Sequence, residues 1–165
     1  MVEIIPAIIA KSFDELHEKI KSALAEQDGN FIHIHNALEK LKPYLPIAPA
    51  HLDERDVVEH IDQMIFRFMK IQDGMGRRLI PLIVEVMEAD TSEMTFLDKL
   101  NRIEKIGLIG PGEWNTYRKI RNDLAHTYPE EKEELADAIN EAAAVVQKLE
   151  TVFQKMRLFC REKLG

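Results

Sequence analysis

LADAINEAAAVVQKLETVFQKMRLF, residues 135–159, is the stretch of this sequence that decides the fold. Its apolar residues return at intervals of three and four, which places them on one face of an α-helix. They are Leu135, Ile139, Ala142, Val145, Val146, Leu149, Val152, Phe153, Met156 and Phe159. A stripe of about seven turns needs other helices to cover it. The pattern therefore predicts a long C-terminal helix, the longest of the chain, as the spine of a helical bundle.

The N-terminal part of the chain also favours helices. Ser12 followed by Glu15 forms a capping box, which predicts a helix from there to about Gln27. The polar triplet 28–30, Asp-Gly-Asn, is typical of a helix end. We therefore expect a break at this triplet and a second, shorter helix over residues 31–41.

The middle of the chain predicts further helices. Apolar residues at helical spacing run from about Leu52 to Asp73-Gly74, and another set covers residues 79–87. Because Pro81 cannot donate a backbone hydrogen bond, a kink or a restart is expected near Gly76. These two segments are predicted to be separate helices or one bent helix.

Three helix boundaries in the second half of the chain carry recognisable signals. Thr95 with Asp98 marks a helix start, and Gly107 marks the end of that helix. Pro111 suits the first turn of the next helix, which is expected to end near His126. Pro129 suits the first turn of the last helix, so the chain is predicted to turn a corner within residues 126–131, HTYPEE.

No segment alternates apolar and polar residues as a strand would, so the fold class is predicted to be all-α, an up-and-down helical bundle. A length of 165 residues fits one domain. Within it, residues 1–50 hold the N-terminal helices and a proline-rich connector, KPYLPIAPA, at 42–50. Residues 51–165 are expected to form the core of the bundle.

Composition limits the compartment and the partners. The single cysteine, Cys160, excludes an intramolecular disulfide and favours a reducing compartment. The opening residues 1–11 lack a basic region and a long apolar run, so we expect no signal peptide, no membrane association and a cytoplasmic location. A net charge of −7 argues against bulk electrostatic binding of nucleic acid, so no DNA partner is expected, whereas local basic patches remain open to RNA.

The densest polar set lies at the predicted helix corner, in RNDLAHTY, residues 121–128. His126 offers an imidazole that can act as acid or base near neutral pH, and Arg121 a guanidinium that can stabilise charge on a phosphate. Asn122 can orient the imidazole. Arg121 and His126 lie about 140° apart around a helix, so Arg121 must reach round or act where a neighbouring helix converges. A histidine at a helix C-terminus also has a purely structural explanation.

This string resembles the signature of HEPN-domain proteins, in particular the HepT-like RNase toxins. Arg121, Asn122, His126 and Tyr128 match the arginine, polar residue, histidine and following tyrosine of that signature. A weaker likeness lies in DQMIFRF, residues 62–68, and it fades beyond Phe68. The resemblance extends over most of the region from about Leu52 to the C-terminus, and only the eight-residue string is specific. The N-terminal helices have no counterpart in the resemblance.

The resemblance implies a fold, an activity and partners. It implies a HEPN-like bundle that forms homodimers with two motifs facing one cleft, and a metal-independent endoribonuclease without a cofactor. Arg121, Asn122 and His126 would be its catalytic residues. It also implies the toxin half of a toxin–antitoxin pair, neutralised by a small nucleotidyltransferase that adenylylates Tyr128. A charged adduct at this tyrosine would repel phosphate.

Several cations are candidates for binding RNA phosphates, and two aromatic residues before the motif are candidates for stacking on bases. Arg118 and Lys119 precede the motif and do not fit its apolar stripe. The remaining candidates are Arg67, in the weaker string, and Arg77 and Arg78, in the expected loop. Trp114 and Tyr117 could stack on bases, but Trp114 is predicted to belong to the core.

Two alternatives stay open from the sequence. The first is a non-catalytic HEPN partner that binds a nucleotidyltransferase or a nucleotide through the same corner. The second is a metal-binding helical bundle, because Asp14 with His17 and Asp123 with His126 have the three-residue spacing of di-iron bundles. Glutamates from other helices would complete such a site, with Glu39, Glu59 and Glu85 as candidates. Under the endoribonuclease interpretation, no residue is predicted to bind a metal ion.

Overall fold

The computed structural model describes residues 4–165, which form helices joined by short turns and contain no strand. The α-helices are α1 (Ile4–Leu41), α2 (Arg55–Gly74), α3 (Ile80–Met87), α4 (Phe96–Lys105), α5 (Glu113–His126) and α6 (Lys132–Leu164). The predicted all-α bundle with a long C-terminal helix is confirmed. None of the helices in this range is both long and apolar enough to cross a bilayer.

The C-terminal helix α6 supplies the central apolar stripe, as its spacing predicts. Ile139, Leu149, Phe153 and Met156 are fully buried in one cluster, and this cluster also contains residues of the other five α-helices. The ring of Phe153 stacks on Phe31 of α1 with centroids 5.2 Å apart. The prediction that α6 is the longest helix is wrong, because α6 has 33 residues and α1 has 38.

The N-terminal region forms one helix, not the two that were predicted. α1 begins before Ser12 and passes through residues 28–30 without a break. Asn30 accepts a hydrogen bond from Arg67 of α2 at 3.0 Å, and Asp28 pairs with Arg157 of α6. Tertiary contacts thus satisfy the polar side chains that elsewhere favour a helix end, and packing overrides local propensity.

Gly29 lies inside this continuous helix, and nothing is within 4 Å of the position that a Cβ atom would occupy. Gly29→Ala is therefore expected to raise the free energy of unfolding by about 0.5–1 kcal/mol, since alanine restricts the unfolded chain and favours the helix. Urea unfolding followed by circular dichroism measures this change. Gly74→Ala is the contrasting variant, because its Cβ would lie 2.0 Å from Nε2 of the buried Gln27, and it should be destabilising.

The predicted irregularity near Gly76 is a π-helical turn, Met75–Leu79, which joins α2 to α3 without a loop. The backbone N–H of Ile80 donates to the carbonyl of Met75, five residues back. Pro81 lacks an N–H, so a regular α-helical bond to the carbonyl of Arg77 is impossible there, and a wider turn accommodates the proline. The predicted end of the regular helix at Asp73-Gly74, with a kink near Gly76, is confirmed, because α2 ends at Gly74 and the π-helical turn follows.

Two prolines lie in turns, whereas both were predicted in the first turn of a helix. Pro111 and Gly112 occupy the middle of a turn closed by the N–H of Glu113 on the carbonyl of Gly110, and Gly112 has a φ of 74°, as a type II turn requires. Pro129 is similarly the second residue of a turn over residues 128–131, which precedes α6 and is closed by the N–H of Glu131 on the carbonyl of Tyr128. In both cases the helix begins only after the turn has reversed the chain.

Candidate functional site

The predicted corner between α5 and α6 is present, and local hydrogen bonds fix it. α5 ends at His126, where Thr127 donates from both its N–H and its hydroxyl to the carbonyl of Asp123, at 3.0 and 2.6 Å. Two hydrogen bonds close the turn that follows. The N–H of Glu131 donates to the carbonyl of Tyr128, and the N–H of Tyr128 donates to the carboxylate of Glu131. His126 and Tyr128 are both exposed at this corner.

Arg121 is held by a carboxylate from another helix. Its Nε and Nη2 donate to the two carboxylate oxygens of Asp73, at 3.3 and 3.2 Å. This fork leaves three of the five guanidinium N–H groups without use in the pair. The side chain is mostly buried, so Asp73 fixes its direction. Asp73 therefore positions Arg121 and leaves it able to bind an anion.

Arg121 opens into a cleft of about 520 Å³ between α2, the π-helical turn, α4 and α5, here called the cationic cleft. Four cations line it, against one carboxylate, Asp73, and the polar side chains of Gln72 and Asn122. The four cations are Arg77, Lys99, Arg118 and Arg121. Its apolar wall is formed by Pro81, Phe96 and Trp114. The cleft combines excess positive charge with an apolar surface.

His126 lines a different cleft, of about 470 Å³, between the end of α5 and the start of α6, here called the acidic cleft. Five carboxylates line it and no lysine or arginine does. They belong to Asp123, Glu131, Glu134, Asp137 and Glu141. Asn122 is the one residue that lines both clefts. Within a single chain, therefore, Arg121 and His126 are not brought into one cavity, and Asn122 forms the wall between them.

The structure separates the candidate RNA-binding cations into two groups. Arg77 and Arg118 line the cationic cleft, and neither forms an ion pair within the described residues. Their sequence neighbours turn away: Arg78 binds Glu26 and donates to Ser22 Oγ at 3.0 Å, and Lys119 binds Asp123 at 2.6 Å. The hydrogen bond to Asp123 raises the pKa of Lys119.

Arg67, the remaining candidate, faces α1. Its Nη1 donates to Asn30 Oδ1 at 3.0 Å, and its guanidinium lies 5.2 Å from the centroid of the Phe66 ring. Arg67 is not among the residues that line either cleft. The structure gives it a role in joining α1 to α2.

Sequence reasoning did not single out three residues of the cationic cleft. Lys99 on α4 and Gln72 on α2 belong to no motif that the sequence offers. Asp73 was interpreted as part of a helix end, because it precedes Gly74. Gln72 and Asp73 lie on α2 and Lys99 lies on α4, so they meet α5 only through packing between helices, which no local sequence pattern encodes.

The aromatic residues of α5 belong to the core. Trp114 and Tyr117 are each only 1% exposed, and their rings meet edge to face with centroids 6.3 Å apart. Burial raises the pKa of Tyr117 far above its usual value, and its hydroxyl donates to the carboxylate of Glu113. Tyr117 therefore cannot stack on a base, whereas Trp114 reaches the floor of the cationic cleft. The prediction that Trp114 is a core residue is confirmed.

The metal-binding alternative has no cluster to build on in the part of the chain that the structure describes. No group of three or more histidine, cysteine, aspartate or glutamate side chains is placed to hold a metal ion there. Asp123, one of the proposed ligands, is instead paired with Lys119.

Comparison with known proteins adds no relative. No protein-family model, no curated protein and no solved structure matches this chain. Membership of the HEPN family therefore stays a prediction from residues 121–128 and 62–68.

Proposed function

We propose that this protein is a metal-independent endoribonuclease of the HEPN type, acting in the cytoplasm as the toxin of a toxin–antitoxin pair. The observation that carries the proposal is the position of Arg121. It is fixed by Asp73 on the wall of a cleft with three further cations, one helical turn before an exposed His126. A cleft of this charge suits the phosphates of an RNA strand.

The proposed reaction uses only protein side chains. His126 accepts the proton of a ribose 2′-hydroxyl, and the freed oxygen attacks the adjacent phosphorus. The bond from phosphorus to the 5′-oxygen then breaks, and that oxygen takes a proton from water, whose hydroxide is neutralised by the proton that the His126 imidazolium releases. The products are a 2′,3′-cyclic phosphate and a 5′-hydroxyl. Arg121 stabilises the extra negative charge on the phosphorane, and Asn122 orients the imidazole.

A homodimer supports this chemistry better than a single chain. Arg121 and His126 of one chain line different clefts, so one scissile phosphate cannot rest between them without a second copy. A two-fold axis near Asn122 would bring Arg121 of one chain towards His126 of its mate. The opposite charges of the two clefts favour this pairing, because in such a dimer the acidic lip of one chain would face the cationic lip of the other.

The direct test is cleavage of single-stranded RNA by the purified protein in the presence of EDTA. We expect fragments that end in a 2′,3′-cyclic phosphate and begin with a 5′-hydroxyl, identified by mass spectrometry. Cleavage that stops in EDTA and returns with a divalent cation contradicts metal independence. A protein that never cuts RNA but copurifies with a nucleotidyltransferase supports the non-catalytic alternative.

Adenylylation is proposed at Tyr128. This residue is 68% exposed, whereas Tyr117 is buried and bound to Glu113. With a small nucleotidyltransferase and ATP labelled at the α-phosphate, we expect label on the wild-type chain and none on Tyr128→Phe. Tyr44→Phe is the matched control and should label as the wild type does. Label that persists in Tyr128→Phe assigns the modification elsewhere.

A further inference from the structure

The cationic cleft holds three cations with no partner of their own. Arg77, Lys99 and Arg118 line it, and none of them forms an ion pair or a side-chain hydrogen bond within the described residues. Arg78 and Lys119, beside two of them in sequence, are both paired elsewhere. Like charges gathered without counter-charges repel one another, so this arrangement favours an anionic ligand.

The same cleft also offers a side-chain amide, that of Gln72. Gln72 is 6% exposed and lines the cleft, and its side chain has no hydrogen-bond partner among the described residues. The amide atoms of Gln72 are not among the fully buried side-chain atoms that lack a partner, so they meet the solvent of the cleft. The two ends of this amide supply both a donor and an acceptor. A ligand with donors and acceptors on one edge, as a nucleobase has, would satisfy it.

The π-helical turn gives the cleft its shape. It directs Arg77 into the cleft while Arg78 reaches α1. Gly76 in this turn lies against the indole, and a Cβ there would come within 2.9 Å of Trp114 Cζ2. The absence of a side chain at Gly76 lets the indole of Trp114 pack directly against the backbone of the turn. Turns of this kind are frequent at functional sites.

We propose that the cationic cleft binds one nucleotide unit. Its base lies against the apolar wall formed by Pro81, Phe96 and Trp114, and its edge forms hydrogen bonds with the amide of Gln72. Its phosphate lies among Arg77, Lys99 and Arg118. A volume of about 520 Å³ is sufficient for a ligand of this size. The inference rests on the proposed function in one respect: the nucleotide unit is taken to belong to an RNA strand that continues past Arg121 and Asn122.

Trp114 provides the measurement, because it is the only tryptophan of the chain. The ligands to titrate are hexa-adenylate RNA, adenosine 5′-monophosphate, adenosine and inorganic phosphate. His126→Ala is used as the background so that RNA stays intact. We expect the fluorescence of Trp114 to change with the RNA and, at higher concentrations, with the mononucleotide. Adenosine and phosphate alone should bind at least about tenfold more weakly than the mononucleotide, since each makes only half of the contacts.

Two pairs of neighbouring cations give matched variants. Arg77→Ala and Arg118→Ala are each expected to weaken binding of the RNA by about tenfold, the usual effect of one charged hydrogen bond. Arg78→Ala and Lys119→Ala remove the same charge from adjacent positions and should change binding less than about twofold. Gln72→Leu should abolish the advantage of the mononucleotide over phosphate. Circular dichroism checks that each variant keeps its helical content.

The outcomes separate this inference from the proposed function. Equal losses in Arg77→Ala and Arg78→Ala would mean bulk electrostatics and overturn the site. Phosphate that binds as tightly as the mononucleotide overturns the base contacts. Binding that follows the predicted pattern in a protein without nuclease activity supports the site and contradicts the proposed function. If Arg77→Ala and Arg118→Ala cleave RNA at the wild-type rate and the fluorescence of Trp114 does not respond to any ligand, the nucleotide site is overturned while the proposed function is supported. If the mononucleotide binds as tightly as the RNA, the inference that the bound nucleotide unit belongs to an RNA strand is overturned.

Discussion

Replacing His126 with alanine is expected to lower the rate of RNA cleavage in EDTA by about 10²–10⁴-fold, the usual contribution of a general acid or base. His126 is exposed at the last position of α5, and its side chain makes no hydrogen bond within the described residues. The substitution should therefore leave the fold intact. The measurement is the initial rate of cleavage of a labelled single-stranded RNA, with the midpoint of thermal unfolding recorded for both proteins.

The matched control for this variant is His33→Ala. His33 is exposed on α1 and lines neither cleft, so its loss should change neither the rate nor the stability. An unchanged rate in His126→Ala would remove the imidazole from the mechanism. Equal losses in both variants would point to general damage to the fold. A selective loss with an unchanged unfolding midpoint supports a catalytic role for His126.

The sequence predicts most of the fold because the apolar spacing is strong. α6 and α2 carry long stripes, and the capping box of Thr95 and Asp98 marks the start of α4, where Thr95 Oγ1 accepts from the N–H of Asp98 at 3.2 Å. The helix breaks were harder to predict. Residues 28–30 favour a break locally, but Asn30 and Asp28 find partners on α2 and α6, and no local pattern encodes such distant contacts.

The candidate site could be predicted only in part for a related reason. RNDLAHTY marks the corner, and helical spacing already places Arg121 and His126 on different sides of α5. Spacing cannot show that Asp73 holds Arg121, because these residues are 48 positions apart. Nor can it separate Arg77 from Arg78, since the direction of each depends on the π-helical turn. Side-chain roles in this protein are set by packing between helices.

A mixed dimer is expected to regain activity that each of its parent variants has lost. Arg121→Ala should by itself lower the rate of cleavage by about 10²–10³-fold, because a charge-stabilising group is removed. If each active site takes Arg121 from one chain and His126 from the other, a dimer of Arg121→Ala with His126→Ala contains one doubly altered site and one intact site. Its rate should be about half that of the wild-type dimer.

The mixed dimer is obtained by coexpressing the two variants with different affinity tags and purifying over both. The reciprocal control is a dimer of the wild-type chain with the double variant Arg121→Ala, His126→Ala. In a site shared between chains, each of its sites lacks one group, so this dimer should be nearly inactive. In a site built within one chain, the results exchange: the first dimer is inactive and the second keeps about half the rate. The two dimers contain the same four substituted and unsubstituted positions, so only the distribution of Arg121 and His126 between the chains can explain opposite activities.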